Sequence, residues 1–412
     1  MTLKDAIAVA LENNYNIRLV STDVAVAENN VNLGNAGMLP KLSADVSAAA
    51  GIQNTTQTLL DGETRSVRNG KSRSSAYGVS LDWTIFDGMQ MFTRYEQLKA
   101  LKDLGDANLQ EAVLNTVYEV VSNYFNLVQQ MQLISATQTA LELSAFRLQT
   151  AQNQYQIGRA SKLEVLAARV DLNTDTTNLL RQRDTYKRTQ VRLNELLGRA
   201  VDTDFGVMDT IIISRDINYE DLRVSAHRQN PTIQSALINQ RINELELKRV
   251  KGNRYPVVSL SSAYTRSGSH TELGFSTQSR NNNFSYGISA SANLFNGFLQ
   301  RRNEQNAAYA IEAANIQVEQ VEQNIDAQLL AAFQTYLMNL DLVRLEGNNR
   351  TIAQENMDIT LEKFKLGSIA PIEFREAQRN FVDASTRFST AQYQAKLAEI
   401  SLNQIAGKMK IE

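Results

Sequence analysis

Two different hydrophobic periods alternate along this chain. Apolar and polar side chains alternate strictly over residues 41–52 and again over 77–85, a pattern that predicts two strands of a hairpin. Residues 53–75 between them are polar and rich in Ser, Thr, Gly and Arg, so they are predicted to form a loop. Two more strands are predicted near 258–264 and 284–294, joined by a shorter loop at about 267–283. Each strand has one apolar and one polar side.

The segments between the strands carry a helical period. Apolar side chains recur at alternating steps of four and three from Val113 to Tyr155, with Gln138 and Gln152 at two of the positions, which is the spacing of coiled-coil packing. A single helix of ~68 residues, ~100 Å long, is therefore predicted over 89–157. Shorter helices are predicted from Thr2 to about residue 34 and over 161–198. Placed end to end, the two shorter helices match the long one in length.

The whole pattern occurs twice. A turn at Gly158 recurs 209 positions later at Gly367, and Asn14 recurs 216 positions later as Asn230. Near-constant offsets indicate an internal repeat, and the difference of seven falls in the second hairpin loop, where length changes are tolerated. The predicted first repeat, 1–205, holds a half-length helix, hairpin 41–86, long helix 89–157 and half-length helix 161–198. The second, 219–412, holds a half-length helix, hairpin 256–295, long helix 299–366 and half-length helix 370–407.

Residues 199–218 interrupt the helical pattern between the two repeats. They are predicted to form a connector that lies outside the main helical body. Within it, Ile211–Ile213 suggests a short strand.

Composition excludes several classes of function. The 42 basic and 44 acidic residues nearly cancel, which argues against nucleic-acid binding. There is no Cys, and the only histidines, His227 and His270, fall in different predicted elements. No phosphate-binding loop is present. We therefore predict no enzyme activity, no cofactor and no metal site.

The strands raise the question of a membrane. No stretch approaches the ~20 apolar residues of a spanning helix. No signal peptide is visible at the start, and we expect that a native export signal has been removed. The strands match those of transmembrane β-barrels, although an ordinary soluble hairpin packed on a core explains them equally well.

If the strands cross a membrane, several chains must share one barrel. Four strands cannot close a barrel, and open strand edges cannot face lipid. Two chains would give eight strands, whose interior holds only side chains. Three chains would give twelve strands and a conducting interior, so a trimer is predicted.

The order of these motifs resembles the outer membrane factor (TolC-like) efflux channel family over essentially the whole chain. The resemblance rests on short motifs in a fixed order. Asn230-Pro231 lies near the start of the second repeat, Pro40 and Pro256 precede the hairpins, and Phe86-Asp87-Gly88 and Phe295-Asn296-Gly297 follow them. The remaining motifs are the turns at Tyr155/Gly158 and Phe364/Gly367 and the helix ends at Leu197-Gly198 and Ala406-Gly407. It implies a mainly α protein with a β-barrel part, in which a homotrimer closes a twelve-stranded transmembrane β-barrel on a long α-helical coiled-coil barrel. The connector would then be equatorial.

The resemblance also implies a function. It is that of an outer membrane channel in a Gram-negative bacterium, a passive duct for multidrug efflux or type I secretion. Its implied partners are a periplasmic adaptor, an inner-membrane pump of the RND or ABC type, and outer membrane lipid. The main alternative is a non-conducting coiled-coil scaffold or adhesin-like protein. The exported substrate is not specified by the sequence.

The two helical turns are the candidate periplasmic entrance. Family members carry acidic residues there, which correspond in this chain to Glu373 and Glu376, with Glu164 as the counterpart in the first repeat. Three chains would place three copies of each glutamate around one axis. The alternative is that Glu164 and Glu373, in the first turns of helices, cap the helices and complement their dipoles.

Two residues that help to close the entrance in family members are replaced in this chain. A Tyr and an Arg near the second turn of family members are replaced here by Phe364 and Ile369, which favours a more hydrophobic closure. Arg159 in the first turn is a candidate substitute for the missing cation.

Two further surfaces are predicted from the same resemblance. The turns, with Gly158, Gly367, Ser161 and Ser368, would dock the adaptor, although the glycines also serve simply as helix stops. On the strands, membrane-facing aromatic residues are expected at the lipid–water boundary, with ordinary strand packing as the alternative. They are Tyr77, Trp83, Tyr264, Phe284 and Tyr286.

Overall fold

The computed structural model describes residues 1–207, 210–272 and 276–408. Over these residues the chain forms long helices and one four-stranded sheet. In chain order the elements are α1 (Leu3–Asn13), α2 (Tyr15–Asn30), β1 (Lys41–Thr58), β2 (Thr64–Asp87), α3 (Gln90–Gln156), α4 (Lys162–Leu196), α5 (Tyr219–Gln229), α6 (Pro231–Gly252), β3 (Val257–Thr271), β4 (Gln278–Ser291), α7 (Leu299–Lys365) and α8 (Pro371–Ile405). No helix in the described ranges has both the length and the apolar character needed to cross a membrane.

The chain divides into two compact units. Unit 1 comprises Met1–Val24, Gly105–Leu237 and Gln317–Glu412, and unit 2 comprises Ala25–Leu104 and Ile238–Ile316. Unit 1 has two hydrophobic clusters. One joins α1, α3 and α4 around Tyr124, and the other joins α5, α6, α7 and α8 around Tyr336.

The connector packs on the core of unit 1 through two buried side chains, while its other described residues are exposed or half-buried. Its equatorial position remains a prediction. Val207 and Ile211 are buried in the cluster around Tyr124. The backbone N–H of Ser214 donates to Glu399 Oε2 at 3.0 Å, and the Tyr336 hydroxyl donates to the Ser214 carbonyl. Burial, followed by the nearby carboxylates, raises the pKa of Tyr336 to about 12.

The short strand expected at Ile211–Ile213 is absent from the described residues. Ile211 is buried against helices, while Ile212 is 74% exposed. The backbone that follows is bonded to side chains of α7 and α8, as at Ser214, which leaves no neighbouring strand to pair with.

The first predicted helix is interrupted at Asn14, which has an extended ψ of 126°. Its side-chain oxygen accepts from the N–H groups of Asn16 at 2.9 Å and Ile17 at 3.2 Å, and so caps α2. Its amide nitrogen donates to the Leu196 carbonyl at the end of α4, at 2.8 Å. One buried side chain therefore serves the start of one helix and the end of another.

The second half of the chain has the same arrangement. Asn230 caps α6 through bonds from Thr232 and Ile233, and its amide donates to the Ile405 carbonyl of α8 at 2.9 Å. Here Pro231 adds a steric reason for the break, because the residue before a proline is disfavoured in the α conformation.

A close backbone approach accompanies each break. A Cβ on Gly198 would lie 2.4 Å from the Asn13 carbonyl oxygen, and a Cβ on Gly407 would lie 2.6 Å from that of Gln229. Neither distance leaves room for a side chain. The end of α4 is thus fitted to the α1–α2 break, and the end of α8 to the α5–α6 break.

In unit 2 the four strands form one antiparallel sheet in the order β1-β2-β3-β4. The first two strands extend far into the predicted loop 53–75, and only 59–63 lies between them. Similarly, β3 continues to Thr271 and β4 begins at Gln278, whereas β4 ends at Ser291 and not at 294. Backbone pairing continues where the apolar face ends, because Ser, Thr and Arg side chains can project from both sides of an exposed ribbon.

The sheet has two chemically different faces. Val79, Tyr264 and Phe284 lie directly opposite one another across three strands, and Leu81 and Tyr286 extend this apolar face. The other face carries residues such as Ser80, Ala263 and Ser285 in register. The predicted alternation is therefore confirmed where the strands were predicted.

The role of Asn14 can be tested by replacing it with Ala. Loss of its side chain removes the α2 cap and leaves the Leu196 carbonyl without its donor, so the protein should lose about 1–3 kcal/mol of stability. Chemical denaturation followed by circular dichroism measures the change. Asn13→Ala is the matched control, because Asn13 is exposed and bonds only within α1; equal losses in the two variants would contradict the assignment.

Candidate functional site

The first helical turn ends α3 through a glycine in the left-handed conformation. Gly158 has φ 74° and donates to the Tyr155 carbonyl at 3.1 Å, while the Arg159 N–H donates to the Gln154 carbonyl at 2.8 Å. This pair of bonds is a Schellman motif, in which glycine is favoured because a side chain strains the positive φ.

The second turn repeats this geometry. Gly367 has φ 72° and donates to the Phe364 carbonyl at 3.0 Å. The Ser368 N–H and hydroxyl both donate to the Lys363 carbonyl, at 3.0 and 2.9 Å. No heavy atom lies within 4 Å of a Cβ built on either glycine, so both turns face open space.

Apolar side chains are exposed beside both turns. Ile157 and Leu163 flank the first turn, and their counterparts Leu366 and Ile372 flank the second. Each is at least two-thirds exposed, from 67% at Ile157 to 83% at Leu366. Large aliphatic side chains repeated at two exposed turns form a surface suited to a partner.

The helix starts after these turns use their acidic residues as caps. Ser161 and Glu164 form the predicted capping box, with reciprocal bonds of 3.3 Å. At the second turn Pro371 occupies the first helical position, and the Glu373 carboxylate accepts from the Ala370 N–H at 3.5 Å. The capping interpretation of Glu164 and Glu373 is therefore supported.

The remaining entrance candidates occupy different environments. Glu376 is exposed and lies 3.8 Å from Arg379. Ile369 is half-buried, and Arg159 is exposed.

Phe364 is buried within the chain. Its ring stacks on Phe374 with centroids 5.1 Å apart and meets Phe146 edge-on at 6.5 Å. The structure thus places Phe364 in the packing between α7, α8 and α3.

A buried polar group lies near the turns on α3, α4 and α8. We call it the charged cluster; its members are Ser144, Arg147, Asp171, Asp175, Arg375 and Gln378. At its centre Arg375 binds Asp175 through two bonds, of 2.6 and 3.1 Å. The hydroxyl of Ser144 donates to the same aspartate.

The rest of the charged cluster surrounds this pair. Gln378 donates to the Ala140 carbonyl at 2.6 Å, and its own carbonyl oxygen is buried without a hydrogen-bond partner. Arg147 binds Asp171. Burial, with a further contribution from the charge of Arg375, lowers the pKa of Arg147 to about 10. Two arginines are thus held together by two aspartates.

Sequence reasoning missed the charged cluster, although a weak signal exists. Ser144 and Arg147 are three apart on α3, and Asp171 and Asp175 are four apart on α4, so each pair shares a helix face. Within the described ranges no group of three or more His, Asp or Glu could hold a metal ion.

The aromatic residues of the sheet lie on one face, as the register requires. All five are exposed, and the rings of Phe284 and Tyr286 are 5.9 Å apart. The indole N–H of Trp83 donates to the Met38 carbonyl at 2.9 Å, while its ring stays 38% exposed. A boundary role for these residues remains a prediction.

Comparisons with known proteins agree with one another. The family model described as "Outer membrane efflux protein" matches residues 6–199 and 222–408. Outer membrane protein TolC of Escherichia coli is 18% identical over 412 residues, covering 96% of this chain and 80% of the relative. Outer membrane efflux protein BepC of Brucella suis is also 18% identical, covering 99% of this chain and 86% of the relative. The crystal structure of the Campylobacter jejuni CmeC outer membrane channel superposes with a TM-score of 0.80 at 16% identity, covering 98% of this chain and 85% of that one.

The charged cluster yields a prediction for stability. Arg375→Ala leaves the buried Asp175 without its cation, which should cost about 3–5 kcal/mol in unfolding free energy. Replacing both partners with apolar residues, as Arg375→Met with Asp175→Leu, should recover much of this loss.

Denaturant unfolding of each variant measures these effects. Arg379→Ala is the matched control, since Arg379 is exposed one turn along the same helix. A loss in Arg375→Ala no larger than in this control would show that the buried pair is not needed to hold the helices.

Proposed function

Since this chain belongs to the outer membrane efflux protein family, we propose that it is the outer membrane channel of a tripartite export system, a passive duct from the periplasm or the pump to the exterior. The family comprises channels and not enzymes, so the energy for export comes from a partner. The location is the outer membrane of a Gram-negative bacterium, as for TolC and BepC. In this proposal the hairpin tips face the exterior and the helical turns face the periplasm.

The main support for the duct is the sheet, which has one apolar face, one polar face and two unpaired edge strands. Its apolar face suits lipid and its polar face suits an aqueous lumen. Strands β1 and β4 form the edges of the described sheet, and neither can remain unpaired in hydrocarbon. Closure by three chains joins β4 of each to β1 of the next and gives twelve strands.

The internal repeat is part of this proposal. We assign residues 1–205 and 219–412 to two repeats joined by the connector 199–218. The matching caps at Asn14 and Asn230 and the matching close approaches at Gly198 and Gly407 support it. The two separate segments matched by the family model are of similar length and support it as well.

The helical turns are the proposed docking surface for the periplasmic adaptor. Four exposed aliphatic residues offer apolar contact, namely Ile157, Leu163, Leu366 and Ile372. Gly158, Gly367, Ser161 and Ser368 shape the turns that present them. The adaptor in turn connects the channel to an inner-membrane pump of the RND or ABC type.

The proposed entrance carries an acidic ring. Glu373 and Glu376 are exposed on α8, and a trimer places three copies of each around the axis. Glu164 is held in its capping box and contributes less. In this proposal Phe364 supports the entrance by packing the helices beside it, while Ile369 and Arg159 lie at its surface.

The sidedness of the sheet gives a direct test of the duct. Val79→Arg puts a cation on the proposed lipid face, at a cost of about 2–4 kcal/mol per chain, and should abolish membrane-inserted trimers. Its neighbour Ser80→Arg puts the same charge in the lumen, and should leave trimers intact while shifting conductance toward anions. Detergent extraction, native mass spectrometry and planar-bilayer recording measure these effects.

The same experiment separates the duct from a non-conducting scaffold. A scaffold would need no detergent, form no channels and respond equally to the two substitutions. Any of these results would contradict the proposed function.

The acidic ring predicts how the channel treats cations. Glu373→Gln with Glu376→Gln removes six charges per trimer while keeping an acceptor for the Ala370 N–H. We expect block by divalent cations to weaken roughly tenfold and cation selectivity to fall. Glu312→Gln with Glu319→Gln removes equal charge from exposed positions of α7 as a control; unchanged block in the first variant would remove the ring from the permeation pathway.

A further inference from the structure

The apolar face of the sheet becomes basic toward the hairpin tips. Arg266 lies directly opposite Tyr77, at the outer end of the aromatic rows. Further along, Arg280 pairs with Gly268 and Arg73 pairs with His270, both on the same face as Tyr77 because successive side chains alternate. We call Arg73, Arg266 and Arg280 the arginine patch.

Small residues lie in the middle of the arginine patch. Ser75 is opposite Gly268, and Gly268 is opposite Arg280, so the row between Arg73 and Arg266 has little side-chain bulk on β2 and β3. Diagonal neighbours on adjacent strands are about 7–8 Å apart. Arg266 and Arg280 are such a diagonal pair, whereas Arg73 lies four residues along β2 from the partner of Arg266, or ~13 Å. The three side chains border one shallow area, where a ligand with more than one phosphate group can contact all of them.

The other face of the sheet has no charge at this level. Its residues on β2, β3 and β4 are small and neutral: Ser72, Ser74, Ala76, Ser267, Ser269, Ser279 and Asn281. A patch that served permeating ions would lie on this lumen face. The restriction of the arginines to the opposite face indicates a ligand outside the channel.

Among the residues that the structure describes, the arginines of the patch have no acidic partner. All three side chains are exposed, and none forms an ion pair within the described residues. The nearby acid Glu272 instead accepts from the backbone N–H of Lys71, at 3.1 Å. Arginine binds phosphate through two parallel hydrogen bonds, which makes phosphate the anion that best fits an open arginine group.

The depth of the arginine patch agrees with a membrane boundary. Trp83 and Tyr77 are six residues apart on β2, ~20 Å along the strand; at the ~40° tilt of strands in such barrels this is ~15 Å of depth, which falls within their ~25 Å apolar band. The patch begins at the Tyr77 row and continues toward the tips. Because aromatic residues flank the apolar band of such barrels, the patch lies on the headgroup side of the Tyr77 row.

We propose that the arginine patch binds the phosphate groups of phosphorylated glycolipids in the outer leaflet, one site per chain. This inference rests on the proposed function, because it requires the sheet to cross the outer membrane with its tips outward. Bound lipid would neutralise the arginines and fix the depth of the hairpins.

The test is titration of the detergent-solubilised trimer with a purified diphosphorylated outer-leaflet glycolipid, with bound copies counted by native mass spectrometry. We expect up to three copies per trimer. Arg73→Gln with Arg266→Gln and Arg280→Gln should weaken binding at least about tenfold, since each basic side chain near an anionic lipid contributes about fivefold. The dephosphorylated glycolipid should bind no better than this variant does.

Two control variants keep the result interpretable. Replacing all three arginines by Lys keeps the charge but loses the paired hydrogen bonds, so binding should fall between that of the wild type and that of the triple Gln variant. Arg169→Gln with Arg181→Gln and Arg183→Gln removes the same charge from exposed positions of α4 and should leave binding unchanged. Circular dichroism and the trimer mass verify folding of each.

Specific outcomes would overturn the proposal. Equal glycolipid binding by wild type and the triple Gln variant would do so, and so would full competition by millimolar inorganic phosphate, which would identify a soluble-anion site. Planar-bilayer conductance of the same preparations is read separately, so a conducting trimer that does not bind glycolipid disproves the lipid site without affecting the channel.

Discussion

The arrangement of helices in unit 1 depends on two places where backbones meet without side chains between them. At Gly198 and at Gly407 a helix end comes so close to a preceding break that a Cβ would overlap a carbonyl oxygen. The buried amides of Asn14 and Asn230 fix the same meeting points by bonding the last carbonyls of α4 and α8. Two glycines and two asparagines thus set where six helices, α1, α2, α4, α5, α6 and α8, begin or end.

Local patterns predicted the element types well and their limits less well. Alternation identified the strands because one face had to be apolar, but it failed in 53–75, where both faces are polar and pairing alone maintains the strand. The break at Asn14 was missed for a related reason. No proline marks it, and the asparagine acts through a contact with Leu196, which is 182 positions away.

In the candidate site, too, the features set by local sequence were predictable and those set by distant contacts were not. The turns and the Ser161 capping box were predictable because glycine and capping chemistry act over a few residues. The charged cluster was not predictable, because Ser144, Asp175 and Arg375 come together only when three helices pack. The burial of Phe364 likewise depends on partners from two other helices. Contacts between distant segments are the part that a single sequence leaves unspecified.

The open edges at β1 and β4 have a genetic consequence. In the proposed ring every chain supplies both edges, so one chain with a damaged edge strand leaves a seam unsealed and no smaller ring can compensate. If defective and normal chains were made in equal amounts and mixed at random, only about one ring in eight would contain three normal chains. A substitution that damages an edge strand is therefore expected to be dominant, whereas a substitution that prevents a chain from joining the ring would be recessive.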